Sequence, residues 1–193
     1  MNEDKRIFFI VISAPSGTGK SSICKRLLDL YPSLMLSISF TSRVPRMNET
    51  NGKEYHFISR EEFQHKIESD DFIEWVEHYG NFYGTSKTTT QMLFSKKKEV
   101  LFDIEPHGAK KIKEIFSGGV FIFIMPPSLD ELRYRLIGRQ TESFEQVKLR
   151  LAKAEIEMDE AKSYDHIVVN HKIDDAVAEI GKIYLKYKHI CKK

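Results

Sequence analysis

The 193-residue sequence has only two cysteines, Cys24 and Cys191. That is too few for a disulfide scaffold, and a reducing compartment is the natural reading. Long apolar runs are missing as well. The longest, Ile7 to Ile12, is far too short to span a bilayer. It follows Lys5 and Arg6 as a signal peptide would, but no small-residue cleavage site closes it. A soluble, cytoplasmic protein is therefore expected. Charge of one sign is lacking too: 30 basic and 28 acidic side chains leave a net charge of +2. Bulk electrostatics gives no argument for nucleic acid or a membrane, and neither is expected as a partner. Any anion handling must come from a local cluster. The seven histidines show no metal-ligand spacing and receive no catalytic role. There is no internal repeat, low-complexity stretch or long linker.

What is present suits one globular domain: 41% hydrophobic and 30% charged residues in a chain of ordinary domain length. Continuous apolar runs at 7–13 (IFFIVIS), 99–104 (EVLFDI), 120–125 (VFIFIM) and 166–170 (HIVVN) read as strands buried on both faces, as in a parallel sheet. Helical patterns separate most of them. Cys24, Leu28 and Tyr31 share a face; Phe144, Val147, Leu151, Ala154 and Met158 form a core-facing stripe, as do Ala176, Ile180, Ile183 and Tyr187. Ser59 with Glu62, Ser128 with Glu131, and Ser143 with Gln146 have capping-box spacing. From Ser37 to Thr90 the alternation breaks into short β-like pieces with one short helix. The fold expected is therefore α/β, a three-layer core (about 1–36, 91–127 and 163–193). It carries a small mixed α/β insertion (about 37–90) and a helical one (about 128–162). Trp75 is expected in the core, and KYKHICKK as a solvated helix terminus.

APSGTGKS, residues 14–21, stands between a strand and a helix, the context a phosphate-binding loop needs. Gly17 and Gly19 let the backbone turn its N–H groups inward, and the following helix offers its positive end. Lys20 brings a full charge to the β- and γ-phosphates of a nucleoside triphosphate, and Ser21 a hydroxyl for Mg²⁺. Ala14 departs from the Gly that usually opens this pattern, which negative φ would accommodate. Asp103 ends a neighbouring strand, where an acidic residue commonly helps to hold Mg²⁺.

Two arginine groups add anion-binding capacity. Arg43 and Arg46 lie in the loop SFTSRVPR, with Tyr55 beyond, and guanidinium forks match phosphate bidentately. Arg135 and Arg139 are four apart on one helix face, although Glu131 is spaced to pair with Arg135; Arg150 follows on the next helix. Such a pair of helices reads as a closing lid that shields a reactive phosphoryl group from water.

Nearly the whole chain resembles guanylate kinase. The resemblance runs from IFFIVISAPSGTGKSS through SFTSRVPR, NGKEYHFIS, DFIEWVEHYGNFYGTS, EVLFDIEPHGA and RYRLIGRQTES to YDHIVVN. It implies a P-loop NTPase core with a GMP-binding insertion and a lid. The implied activity is transfer of the γ-phosphoryl of ATP to GMP, and to dGMP, with Mg²⁺; no protein partner is implied. By resemblance, residues 14–22 (Ala14, Pro15, Ser16, Gly17, Thr18, Gly19, Lys20, Ser21, Ser22) and Asn170, near the adenine, bind ATP. Ser39, Glu74, Thr85 and Glu105 serve the guanine. Arg43, Arg46, Tyr55 and Tyr83 clamp the GMP phosphate. Asp103 lies at the acceptor and at the metal with Ser21, while Lys20, Arg43, Arg135, Arg139 and Arg150 are the catalytic cations. The chain departs from the family pattern in four places. Glu105 replaces Asp, His107 replaces Gln, Gln140 replaces a lid Gly, and Asn48 stands for a Gly whose left-handed backbone Asn tolerates. A non-catalytic binding module of the same family and a kinase for another phosphorylated metabolite are the alternative readings.

Overall fold

Strand β1 (Phe9–Ser13) is buried along its whole length, as its unbroken apolar sequence requires of a central strand covered on both faces. A glycine loop follows. Then come α1 (Lys20–Leu30), β2 (Leu34–Leu36), β3 (Phe40–Thr41), β4 (His56–Phe57), α2 (Arg60–Glu68), β5 (Phe72–His78), β6 (Asn81–Ser86) and α3 (Lys87–Ser95). The chain continues with β7 (Glu99–Asp103), α4 (Pro106–Ile115), β8 (Gly119–Met125), α5 (Leu129–Ile137), α6 (Phe144–Asp159), a 3-10 turn (Glu160–Ser163), β9 (His166–Val169) and α7 (Ile173–Cys191). These elements come from a computed structural model that describes residues 7–78, 80–138 and 144–191.

Five strands form a parallel sheet in the order β2-β7-β1-β8-β9. Side chains alternate between its faces. Ile10, Ile12, Leu101 and Ile122 pack with Ile23 and Leu27 of α1 and Ile180 and Tyr184 of α7. Phe9, Val11, Phe102 and Phe121 pack with Phe94 of α3 and Ile112 of α4. The result is the expected three-layer α/β core. It sets the glycine loop after β1 beside Asp103, which is in register with Ile12, at the carboxyl ends of the strands where open α/β sheets take their ligands. Not every apolar run is covered on both faces. β9 is an edge strand, and Ile167 and Val169 stay 46% and 40% exposed on it. The opposite edge, β2, spans only Leu34–Leu36, too short to show as a run.

A second sheet, β4-β3-β6-β5, is antiparallel except for the β3–β4 pair. Phe63 of α2 stacks on Phe72 and Phe82, with centroids 4.4 and 5.2 Å apart, to give it a core of its own. Trp75 corrects the expectation of a core residue. It is 43% exposed and edge-on to Phe82, because successive strand residues face opposite ways and Glu74 takes the side facing the cavity. Helix α3 begins at Lys87, so the boundary expected near 90 runs through a helix.

Helices α5 and α6 share a small core of Leu132, Leu136, Val147, Leu151 and Ala154. Phe144, expected in that stripe, is 79% exposed; it opens α6 at the loop end of the pair. Ser59 and Glu62 form a complete capping box. Ser128 accepts the Glu131 N–H, but the Glu131 carboxylate turns to Arg135. Ser143 lies outside the described residues. Among the described residues no helix is long and apolar enough to cross a membrane.

Candidate active site

The glycine loop owes its shape to two left-handed residues, Gly17 (φ +95°) and Gly19 (φ +99°). Gly19 N-caps α1 without a side-chain cap, so the first-turn N–H groups point at the space an anion would take. Ala14 is not among the positive-φ residues, and its methyl is buried in the core, which is why Ala is accommodated there. The loop is held from behind. Asn170 Nδ2 donates to the Thr18 carbonyl at 2.7 Å, and a Cβ on Gly17 would lie 2.7 Å from Leu136 and 3.1 Å from Leu132 of α5. A cavity of about 180 Å³ opens in front, lined by residues 14–17 and 19–22 with Glu105.

Lys20 Nζ is 2.6 Å from Asp103 Oδ1. Burial alone would push the Lys20 ammonium down, but Asp103, helped by Cys24 and Glu105, outweighs it and holds Lys20 above its ordinary value. Lys20 thus stays cationic.

Arg43 and Tyr55 come together, with Tyr83 5.8 Å from Tyr55 ring to ring. The fork of Arg43 is occupied by Glu49, at 2.8 and 2.9 Å, and Glu49 also accepts the Arg46 N–H at 2.7 Å. The hydrogen bond from Arg43 outweighs burial and holds Glu49 below the usual carboxylate range. Glu49 was not singled out from the sequence; an acid three residues after Arg46 was the one signal. Arg46 itself is exposed.

The β5–β6 register puts Glu74 opposite Thr85, and Thr85 Oγ1 donates to Glu74 Oε1 at 2.7 Å. Burial pushes the Glu74 carboxyl up despite that bond. A cavity of about 280 Å³ joins this pair to the loop. It is lined by Ser39, Tyr55, Glu74, Tyr83, Asp103 and Glu105 together with Ser16, Lys20, Ser21 and Arg150. Thr85 reaches it through Glu74. Arg150 donates to Ser16 Oγ at 2.5 Å. Arg135 pairs with Glu131 at 2.8 Å and donates to the Asn170 carbonyl at 3.1 Å, so the Glu131 pairing read from the spacing is present. Arg139 lies outside the described residues.

A family model described as guanylate kinase matches residues 7–187. The chain belongs to the guanylate kinase family. A guanylate kinase of Clostridium perfringens (strain 13) is 44% identical over 188 residues, covering 97% of this chain and 87% of the relative. One of Geobacter sulfurreducens is 42% identical over 175 residues, covering 91% and 86%. The crystal structure of guanylate kinase from Anaplasma phagocytophilum superposes with a TM-score of 0.73 at 32% identity, covering 93% of this chain and 85% of that one.

This guanylate kinase family member accommodates its departures in different ways. Asn48 does not take positive φ, so no left-handed backbone is required of it. Glu105 reaches Lys153 at 3.0 Å. His107 lies beside Glu74 and draws the carboxyl down against the effect of burial. Gln140 lies outside the described residues. Gly108 has a specific packing reason: a Cβ there would sit 3.0 Å from both Cγ and Cδ of Glu74. Gly108→Ala is expected to push Glu74 off its place and to destabilise the fold by about 1–3 kcal/mol, as overpacking does. Thermal unfolding checks the stability, and Michaelis kinetics should show a raised KM for the acceptor with the KM for ATP unchanged.

Proposed function

We propose that this chain catalyses the guanylate kinase reaction, transferring the γ-phosphoryl of ATP to GMP, and to dGMP, with ADP and GDP as the products from GMP. One observation carries the reading: a single cavity joins the Lys20 loop to the half-buried Glu74. Guanine offers N1–H and N2–H₂ donors beside the O6 acceptor. The Glu74 carboxylate matches the donors and is held by the Thr85 hydroxyl, and the Ser39 hydroxyl at the cavity wall supplies a donor for O6. Adenine offers an unprotonated N1 acceptor and a C2–H where guanine has its N1–H and N2–H₂ donors, so the same carboxylate discriminates against AMP.

The chain's own groups account for the chemistry by positioning and charge. Loop N–H groups and Lys20 hold the ATP phosphates, and Asn170 steadies the loop from below through Thr18. Arg43, Arg46, Tyr55 and Tyr83 hold the GMP phosphate, which competes with Glu49 for the Arg43 fork. A GMP phosphate oxygen attacks the γ-phosphorus in line. The new P–O bond forms as the bond to ADP breaks, and ADP leaves with the electron pair. Arg135, Arg139 and Arg150 stabilise the charge on the group in flight, while α5 and α6 keep water away.

The hydroxyl of Ser21 and the carboxylate of Asp103 form an all-oxygen donor set that fits Mg²⁺, which binds through one or two protein ligands plus substrate phosphates. Ser21 and Asp103 would hold Mg²⁺, which supplies charge neutralisation on the β- and γ-phosphates when bound.

A coupled ADP-release assay with ATP·Mg²⁺ tests the reading against GMP, dGMP, AMP, CMP, UMP and an acceptor-free control. Turnover on GMP and dGMP alone is expected. Silence on every acceptor with ATP still bound would point instead to a binding module or to another phosphorylated acceptor.

A further inference from the structure

Glu105 is one methylene longer than the family's Asp, and its carboxylate needs something to fix it. It sits at the N-cap of α4 but makes no side-chain cap. Its Oε2 reaches across to α6 instead, 3.0 Å from Lys153 Nζ. Lys153 is in turn 3.3 Å from Glu157 Oε1, one helical turn on, and Glu157 is buried. A buried carboxylate without a partner is costly, so Glu157 holds Lys153, whose side chain is 44% exposed, beside Glu105 at the edge of the cavity. Glu74, Glu105, Lys153 and Glu157 line one space of about 290 Å³. Lys153 follows Arg150 by three residues and so shares its face of α6. That helix therefore touches the glycine loop through Arg150 and, through Lys153, the space that adjoins the acceptor cavity at Glu74 and Glu105.

We propose that Lys153, anchored by Glu157, is a positioning residue that aims the Glu105 carboxylate at the acceptor purine and thereby ties acceptor binding to α6. The inference rests on the guanylate kinase reading above. Two carboxylates facing one cavity repel each other. With the ammonium between Glu105 and Glu157, Glu105 keeps both its charge and its direction. Removing that charge frees Glu105 to swing away from Glu74, and the purine donors lose a partner.

Lys153→Met keeps the aliphatic stem and removes the charge. In the coupled assay its KM for GMP should rise about tenfold, the loss of one hydrogen bond to a charged group. Its kcat should stay within about twofold, and the KM for ATP should not change. Lys153→Arg should restore the KM for GMP to within about threefold, because its fork reaches both carboxylates. Glu157→Gln, which leaves Lys153 in place, should raise the KM for GMP by a smaller factor and serves if Lys153→Met fails to fold in a thermal melt. An unchanged KM for GMP in the folded variants, equal rises for GMP and ATP, or no rescue by Arg would overturn the inference alone. Absence of GMP turnover in the wild type would overturn the functional reading and this inference with it.

Discussion

Lys20→Ala is expected to lower kcat by about 10³-fold or more, equivalent to about 4 kcal/mol of transition-state stabilisation. Lys20 opens α1 at the mouth of the glycine loop, where the backbone turns through Gly17 and Gly19 leave its ammonium over the phosphate cavity. It is the one full positive charge contributed by residues 14–21. The charge that builds on the transferring group has no equivalent partner there once it is gone. The same substitution leaves Asp103 without its ion pair. For a pair that keeps some solvent contact this is expected to cost about 1–3 kcal/mol and several degrees of Tm. The two effects separate in measurement: steady-state kinetics reads the first and a thermal melt the second. A lowered Tm with kcat near normal would make Lys20 a structural residue and remove it from the reaction.

Glu74→Ala is expected to cut kcat/KM for GMP by about 10²–10³-fold, because a site built to accept hydrogen bonds loses its acceptor for the guanine donors. Turnover of AMP, which the carboxylate disfavours, should fall far less, so the GMP-over-AMP preference should collapse by nearly the same factor. Unchanged preference would take Glu74 out of guanine reading. The carboxyl also fixes a pH dependence. Burial holds it above its ordinary value of 4.5, against the opposing effects of Thr85, His107 and Lys20, with Glu105 adding to the rise. The guanine donors need the ionised form, so kcat/KM for GMP should fall on the acid side at a pH above 4.5. For stability the sign is opposite. A carboxyl raised in the folded state contributes stability that is full below the ordinary range and lost as pH rises through the raised value. Glu74→Gln should remove that slope from the melting temperature while impairing GMP turnover. At this position, function and stability want different protonation states.

The parts of the site that were legible in the sequence are those whose requirement is local. Gly17, Gly19 and Lys20 state a backbone shape and a charge within one short loop, and the flanking apolar run and helix pattern supply its context. Glu131 and Arg135 were readable as a pair because helical spacing fixes their distance. Contacts across the chain left no such trace. Asn170 steadies Thr18 from 152 residues away, and Lys153 meets Glu105 only because α6 passes the N-terminal end of α4. Glu49 depended on how the loop turns back on Arg43. Periodicity also says which side chains share a face but not whether that face is covered. Phe144 and the outer side of β9 fit apolar patterns and yet stand in solvent, and Trp75 lies opposite Glu74 for the same geometric reason that makes Glu74 available.

The central claim is that one cavity brings ATP and a guanine nucleotide together for direct transfer. The measurement that tests it most directly follows label from [γ-³²P]ATP, with Mg²⁺, into separated products when GMP or AMP is the sole acceptor. The account predicts label in GDP, with none in ADP formed from AMP and little in inorganic phosphate. Label appearing in inorganic phosphate alone, or equally in the products of GMP and AMP, would contradict it.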